Sequence, residues 1–141
     1  MAANRFRSGK IGSKRRVLFD SSFLIAVMES PTSWQSDLLE KLGMYEGVII
    51  GPVYDELGLL ANGKGRSSRY ASLAKGLADS GTLKLERSPG NRADEELASK
   101  ALDDGAFVAT IDLDLTKQLE ASGIRVITLR NGRVEMKSAI S

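Results

Sequence analysis

Residues 106–115 read AFVATIDLDL, and their reading decides the fold. The first five are small, apolar or threonine, with no alternating polar side chains, the pattern of a strand covered on both faces. Such a strand belongs to a parallel sheet, and the residues after it, DLDLTKQLEASG, read as a short helix. Two aspartates at the strand's end have no structural use unless something positive sits there, because an unpaired carboxylate beside a core is costly. Open α/β sheets bind ligands outside the carboxyl ends of their strands. The same ten residues therefore point to an architecture and to a place in it.

Working outward, RVLF (16–19) is a short apolar run that stops at Asp20, and helical periodicity follows in SSFLIAVMES. Pro31 breaks it, and TSWQSDLLEKLGMYE resumes with Ser/Thr cap signals and Asp37 early in the helix. GVIIG (47–51) is a second strand; Pro52 then stands where a helix accepts proline, in the first turn of PVYDELGLLANG. RSSRYASLAKGLADSG is a further helix, TLKLER (82–87) a third strand, and NRADEELASKALDDG a helix closed by Gly105. After the strand at 106–110 comes a fifth, IRVITL (124–129), and Asn131-Gly132 turns the chain into RVEMK, a hairpin with a short antiparallel edge strand. Strands alternating with helices predict an α/β fold: a three-layer α/β/α domain with a central, mainly parallel five-stranded sheet plus a short C-terminal hairpin strand. There is no internal repeat and no long linker. The expected organisation is a basic flexible tail over residues 1–15 and a single domain over 16–141.

The chain has 141 residues, 42 % hydrophobic and 27 % charged, the make-up of one ordinary globular domain. No apolar run approaches the ~20 residues that span a bilayer. The basic start, MAANRFRSGKIGSKRR, leads into no signal-type segment. These observations predict no membrane contact and a cytoplasmic location. There is no Cys and no His, which removes thiolate chemistry, the commonest general base and nearly all zinc ligation. Any metal must be held by oxygen, which favours Mg²⁺ or Mn²⁺. The net charge of +2 divides unevenly: a +6 arm over residues 1–16, without an acid, on a body of −4. A basic arm of this kind suits a polyanion, and Arg15 and Arg16 close it.

The acidic residues are unevenly placed too. Asp20 ends the first strand and Asp112 lies just past the fourth, so both point to one rim of the sheet. In the helix 91–104, at about 3.6 residues per turn, Asp94 falls between Ala98 and Ala101 in the middle of the apolar face, while Glu95 and Glu96 drift outward. The helix dipole favours an acid in the first turn, but it does not choose the buried face. Glu56 borders the face of Val53, Leu57 and Leu60, whereas Asp55 points away with Leu59. Asp20 and Asp112 could each simply cap the helix that follows. Their shared rim, with Asp94 and Glu56 nearby, argues for more: clustered carboxylates resist ionising together, and a divalent cation resolves the conflict. Such an ion orients phosphate oxygens and lowers the pKa of bound water, supplying a nucleophile without histidine. GKGRSSRY (63–70) offers Lys64, Arg66 and Arg69 for a polyanion, with Tyr70 available for stacking. Neither a P-loop nor a G-x-G-x-x-G motif is present.

With these residues in place, the sequence resembles the PIN-domain nucleases over roughly residues 16–130. VLFDSSFLI, PVYDEL, ADEELASKAL and VATIDLDL occur in the family's order and spacing. The resemblance implies a PIN-like fold and a Mg²⁺- or Mn²⁺-dependent endoribonuclease that hydrolyses phosphodiesters by water attack. It implies Asp20, Glu56, Asp94 and Asp112 as the catalytic acidic quartet, with Asp20, Asp94, Asp112 and Asp114 toward metal. Ser22 and Thr110 match supporting positions, although TID stands where TND is frequent and DSS where DTN is. Lys64, Arg66, Arg69, Arg15 and Arg16 are the expected RNA contacts. Within the family, ADEEL, TIDLDL and GIRVITLRNGR resemble the pre-ribosomal-RNA processing group more than the toxin nucleases of toxin–antitoxin pairs. The resemblance thus implies RNA, with pre-rRNA favoured, as partner, and also a homodimer, for which the helices of 21–44 with Trp34 are the expected interface, and a processing factor or antitoxin. The alternatives are a toxin ribonuclease and a non-catalytic RNA-binding scaffold. An aspartate-nucleophile phosphatase needs D-x-D after its first strand, which FDSSF lacks, and the acid pairs and late lysine of a receiver domain are not evident.

Overall fold

Val17, Leu18 and Phe19 have no exposed surface, nor have Val48, Ile49 and Ile50. Two adjacent strands with three consecutive side chains buried in each require helices on both faces. The computed structural model, which describes residues 15–30 and 32–137, has that arrangement. Its elements alternate as read: β1 (Arg15–Phe19), α1 (Ser21–Glu29), α2 (Trp34–Leu42), β2 (Tyr45–Ile50), α3 (Gly51–Ala61), α4 (Arg66–Asp79), β3 (Lys84–Glu86), α5 (Ala93–Asp104), β4 (Phe107–Ala109), α6 (Leu113–Ala121), β5 (Val126–Arg130) and β6 (Arg133–Lys137). All six strands join one sheet in the order β3-β2-β1-β4-β5-β6. The first five run parallel and β6 returns antiparallel to β5. The hairpin turns on Asn131 and Gly132 at φ 52° and 77°, the left-handed pair that matches strand twist.

Right-handed crossovers put α1 to α4 on one face of the sheet and α5 and α6 on the other. On the first face the Trp34 ring packs edge to face with Phe19 and Phe23, which are tilted against each other, at 5.5–6.3 Å between centroids. Trp34 is only 5 % exposed, so it belongs to the core and not to an interface. Gly47 keeps β2 close to its cover: a Cβ there would meet Leu83 Cδ2 at 2.6 Å and Phe19 Cε2 at 3.2 Å.

The first strand begins at Arg15, one residue before the expected domain boundary, and one arginine changes role. Arg15 and Arg16 are in β1, paired in register with Tyr45 and Glu46 of β2. Arg16 is not an arm residue. Its guanidinium binds Glu46, Glu86 at 2.6 Å and Asp104 at 3.2 Å, while Lys100 meets Glu86 at 3.0 Å. Burial would raise the Glu86 carboxyl, but Arg16, Lys100 and Lys84 together hold it at about 2. A side chain committed to three carboxylates is not available to RNA phosphates, so Arg16 leaves the expected contact set. The remainder of the arm lies outside the described residues. A buried acid closes the other side: Asp37 of α2 accepts from Arg133 Nε and Nη2 at 2.9 and 3.0 Å and from the Val134 N–H at 3.2 Å, fastening β6 to the helical layer.

Candidate active site

The chain's direction across the sheet reverses at β1, with β2 on one side and β4 on the other, so a crevice opens at their carboxyl ends. The register sets Phe19 beside Ala109, and the Asp20 N–H donates to the Ala109 carbonyl at 2.9 Å. Beyond this point the strands part, and Asp20 and Thr110 face each other across the gap. Asp20 is 5 % exposed and Thr110 fully buried. The Thr110 hydroxyl donates to Asp20 Oδ2 at 2.8 Å, and the Ser22 hydroxyl donates to the same oxygen at 2.5 Å. Each hydroxyl in turn accepts a backbone N–H, Thr110 from Asp112 at 3.0 Å and Ser22 from Ile111 at 3.1 Å. Both hydroxyl protons are thereby spent on one carboxylate oxygen. Asp20 occupies the position before α1 but makes no capping bond with its side chain. Its Oδ1 has no hydrogen-bond partner among the described residues.

Asp112 does cap. Its Oδ1 accepts the Leu115 N–H at 3.0 Å, which sets the start of α6 and leaves Oδ2 open. Glu56, on α3, is exposed and accepts the Ser21 hydroxyl at 2.7 Å. Asp94 departs from the expectation. It is exposed, and the buried face of α5 consists of Leu97 and Ala101, with Leu102 58 % exposed. The wheel fixed the direction of Asp94 but not its height: one turn before Leu97, that face has passed the end of the sheet and opens on the rim. Its carboxyl is nonetheless pushed up, first by partial burial and then by the charges of Asp20, Asp112 and Glu56, which outweigh Arg92. The four acids thus share one electrostatic neighbourhood. Asp114 is exposed in the first turn of α6. Among the described residues no three acids already converge in a metal cage. Lys64, Arg66 and Arg69 are exposed around the turn from α3 to α4, which lies at the end of α3 away from Gly51 and Pro52.

One family matches, described as a PIN like domain, over residues 17–132. The chain belongs to this PIN-like family. Two of the solved structures that share the fold illustrate the likeness. The PIN domain endonuclease Utp24 superposes with a TM-score of 0.73 at 19 % identity, over 87 % of this chain and 91 % of that one. A domain of a functionally unknown protein from Methanocaldococcus jannaschii DSM 2661 gives 0.54 at 18 % identity, over 90 % and 99 %. A comparison with curated proteins finds no match.

In this PIN-like domain the rim continues into a cleft of about 380 Å³ between the amino end of α3 and the segment joining β3 to α5. Glu56 lines it, as do Arg87 and Asn91. The sequence reading missed these two residues, and Ser21. The rule that pointed to Asp20 and Asp112 would also have found Arg87, which directly follows the third strand. Ser21 carries no such signal, since its partner Glu56 is 35 positions away.

Proposed function

We propose that this PIN-like domain is a metal-dependent endoribonuclease. The observation that carries the proposal is the state of Asp20: buried at the switch point, one oxygen gripped by two hydroxyls, the other without a partner among the described residues, in the neighbourhood of three more carboxylates. A purely structural aspartate would use both oxygens or cap its helix. The donor set fits Mg²⁺ or Mn²⁺, which need one or two carboxylates and take water and phosphate for the rest, so no prebuilt cage is required. When bound, the ion supplies charge neutralisation and a water of lowered pKa.

The chain's residues divide the remaining work. Asp20 Oδ1 and Asp112 Oδ2 are the donors left open for the ion, with Asp114 on the outer side of the same helix start. Ser22 and Thr110 lock Asp20, so no reorganisation is needed as charge develops. Asp94, whose carboxyl is raised above its ordinary value and so binds a proton more tightly, accepts the proton of the attacking water, and Glu56 holds that water from the α3 side. The water oxygen bonds to phosphorus, the bond to the leaving oxygen breaks, and that oxygen takes a proton from solvent. With no histidine in the chain, attack by the ribose hydroxyl has no base of the usual kind.

The substrate we propose is structured RNA, with pre-rRNA favoured by the sequence resemblance and a toxin nuclease as the alternative. That the similar fold of Utp24 is borne by an endonuclease supports the general reading. No helix among the described residues is long and apolar enough to cross a membrane, in keeping with the cytoplasmic location we propose. With Trp34 buried, Leu39 and Met44 are the exposed apolar residues left near the expected self-association face. Incubation with a structured RNA decides the central reading: cleavage in Mg²⁺ or Mn²⁺, stopped by EDTA and abolished by Asp20→Asn. Activity persisting in EDTA would sink it.

A further inference from the structure

An RNA strand approaching four carboxylates is repelled before any ion attracts it, so a cation beside the rim is needed to hold the chain. Arg87 is the sole cation among the residues lining the cleft next to Glu56. Most other arginines around the sheet are engaged: Arg16 with three acids, Arg92 with Glu95, Arg130 with Glu135, Arg133 with Asp37, and Arg125 over the Phe107 ring; Arg15, exposed, stands at the start of β1, the opposite end of that strand from the rim. Arg87 makes no ion pair among the described residues, although Asp55 and Glu56 line the same cleft. A cation held across a gap from two carboxylates without closing on them leaves space for a third party. The volume, about 380 Å³, lies within the roughly 300–1,000 Å³ of small-ligand sites and suits one nucleotide. Pro52 and Leu59, the latter 75 % exposed, give an apolar wall, and Asn91 faces it with an amide.

We infer that this cleft is the subsite for the nucleotide adjoining the scissile phosphate. Resting on the ribonuclease reading, the inference gives that activity a direction along the strand. Arg87 grips a backbone phosphate in the forked geometry that guanidinium favours. Pro52 and Leu59 take the face of the sugar or base, and the Asn91 amide, donor and acceptor both, meets a base edge.

The test uses the full chain without divalent metal. Uridine and adenosine 5′-monophosphates, titrated into ¹⁵N-labelled protein, should shift the Gly51 and Gly90 amides and the Asn91 side-chain amide. Arg87→Gln should weaken that binding roughly tenfold or more, the loss of a charge-assisted hydrogen-bond pair, and Arg87→Lys should fall between. With a labelled single-stranded U12 RNA, Arg87→Gln should also reduce the salt slope by about 0.7, at an unchanged melting temperature, since the side chain is exposed and unpaired. Shifts centred elsewhere, an unaltered affinity and slope, or a lowered melting temperature in Arg87→Gln would each overturn the subsite. If the parent cuts RNA and Arg87→Gln behaves like it, the subsite alone fails. If monophosphates bind the cleft through Arg87 but no RNA is cut with any metal, the subsite stands and the nuclease reading falls.

Discussion

At the scale of single residues, Asp94 and Thr110 make opposite predictions. The Asp94 carboxyl is raised in the folded chain above its ordinary 3.8, so the folded state binds its proton more tightly than the unfolded one. Stability therefore falls as pH rises through and above that range. Asp94→Asn should be as stable as the parent or more so at pH 7 without metal, with the advantage vanishing at pH values below the ordinary carboxylate range, and it should not cut RNA. Melts across pH check this, and a destabilised variant would mean that Asp94 is paired within the fold. Thr110→Val keeps the shape but removes the donor to Asp20 and the acceptor for the Asp112 N–H. It should cost about 1–3 kcal/mol, the range for a buried hydrogen bond left unmade, and depress cleavage by loosening Asp20; denaturant melts and single-turnover rates measure both. Asp20 and Asp112 were legible in the sequence because they stand at or just past strand ends, where the rule for open sheets puts ligands, and Thr110 was legible through the family resemblance. The depth of Asp94 was not, because a wheel carries no information on where a helix overruns its sheet.

At the scale of elements, two joints can be tested. Asp37 is held at about 2, chiefly by the Arg133 side chain and then by the Val134 N–H, against the opposing effect of burial. A depressed carboxylate contributes stability above its unfolded value near 3.8 and loses it as pH falls toward 2. Asp37→Asn should therefore lower stability at pH 7 and flatten the acid limb of the stability profile between about pH 4 and 2, with amide exchange accelerated first in β6. Gly47→Ala tests the packing of β2 on its cover. With Leu83 and Phe19 already within 3.2 Å of the added carbon, it should cost about 1–3 kcal/mol in urea melts while leaving RNA affinity unchanged. The strands and helices themselves were readable from period and punctuation. Arg16 was not, because its three carboxylates come from β2, β3 and α5, up to 88 positions away, and nothing local separates a sheet arginine from the basic arm before it.

At the scale of the whole molecule, metal and RNA should both register as linked equilibria. Mg²⁺ should raise the stability of the parent by about 2.7 kcal/mol at a hundredfold excess over its Kd, and that of Asp20→Asn far less. Deleting residues 1–14, which carry Arg5, Arg7, Lys10 and Lys14, should weaken RNA binding and flatten its salt dependence by about 0.7 for each phosphate no longer neutralised. An unchanged slope would leave the arm without a part in binding.

The hydrogen bond from Thr110 to Asp20 joins positions 90 residues apart, and it has a consequence for the protein's birth. At roughly 5–20 residues per second, the ribosome emits Asp20 many seconds before Thr110, and the central strand waits for its second neighbour all that time. A chain that stops before Thr110 holds three of its four acids, Asp20, Glu56 and Asp94, and only the Ser22 half of the lock on Asp20. On the ribonuclease reading proposed above, such a fragment carries a partial sheet, lacks both Thr110 and Asp112, and should not cut the RNA that surrounds it.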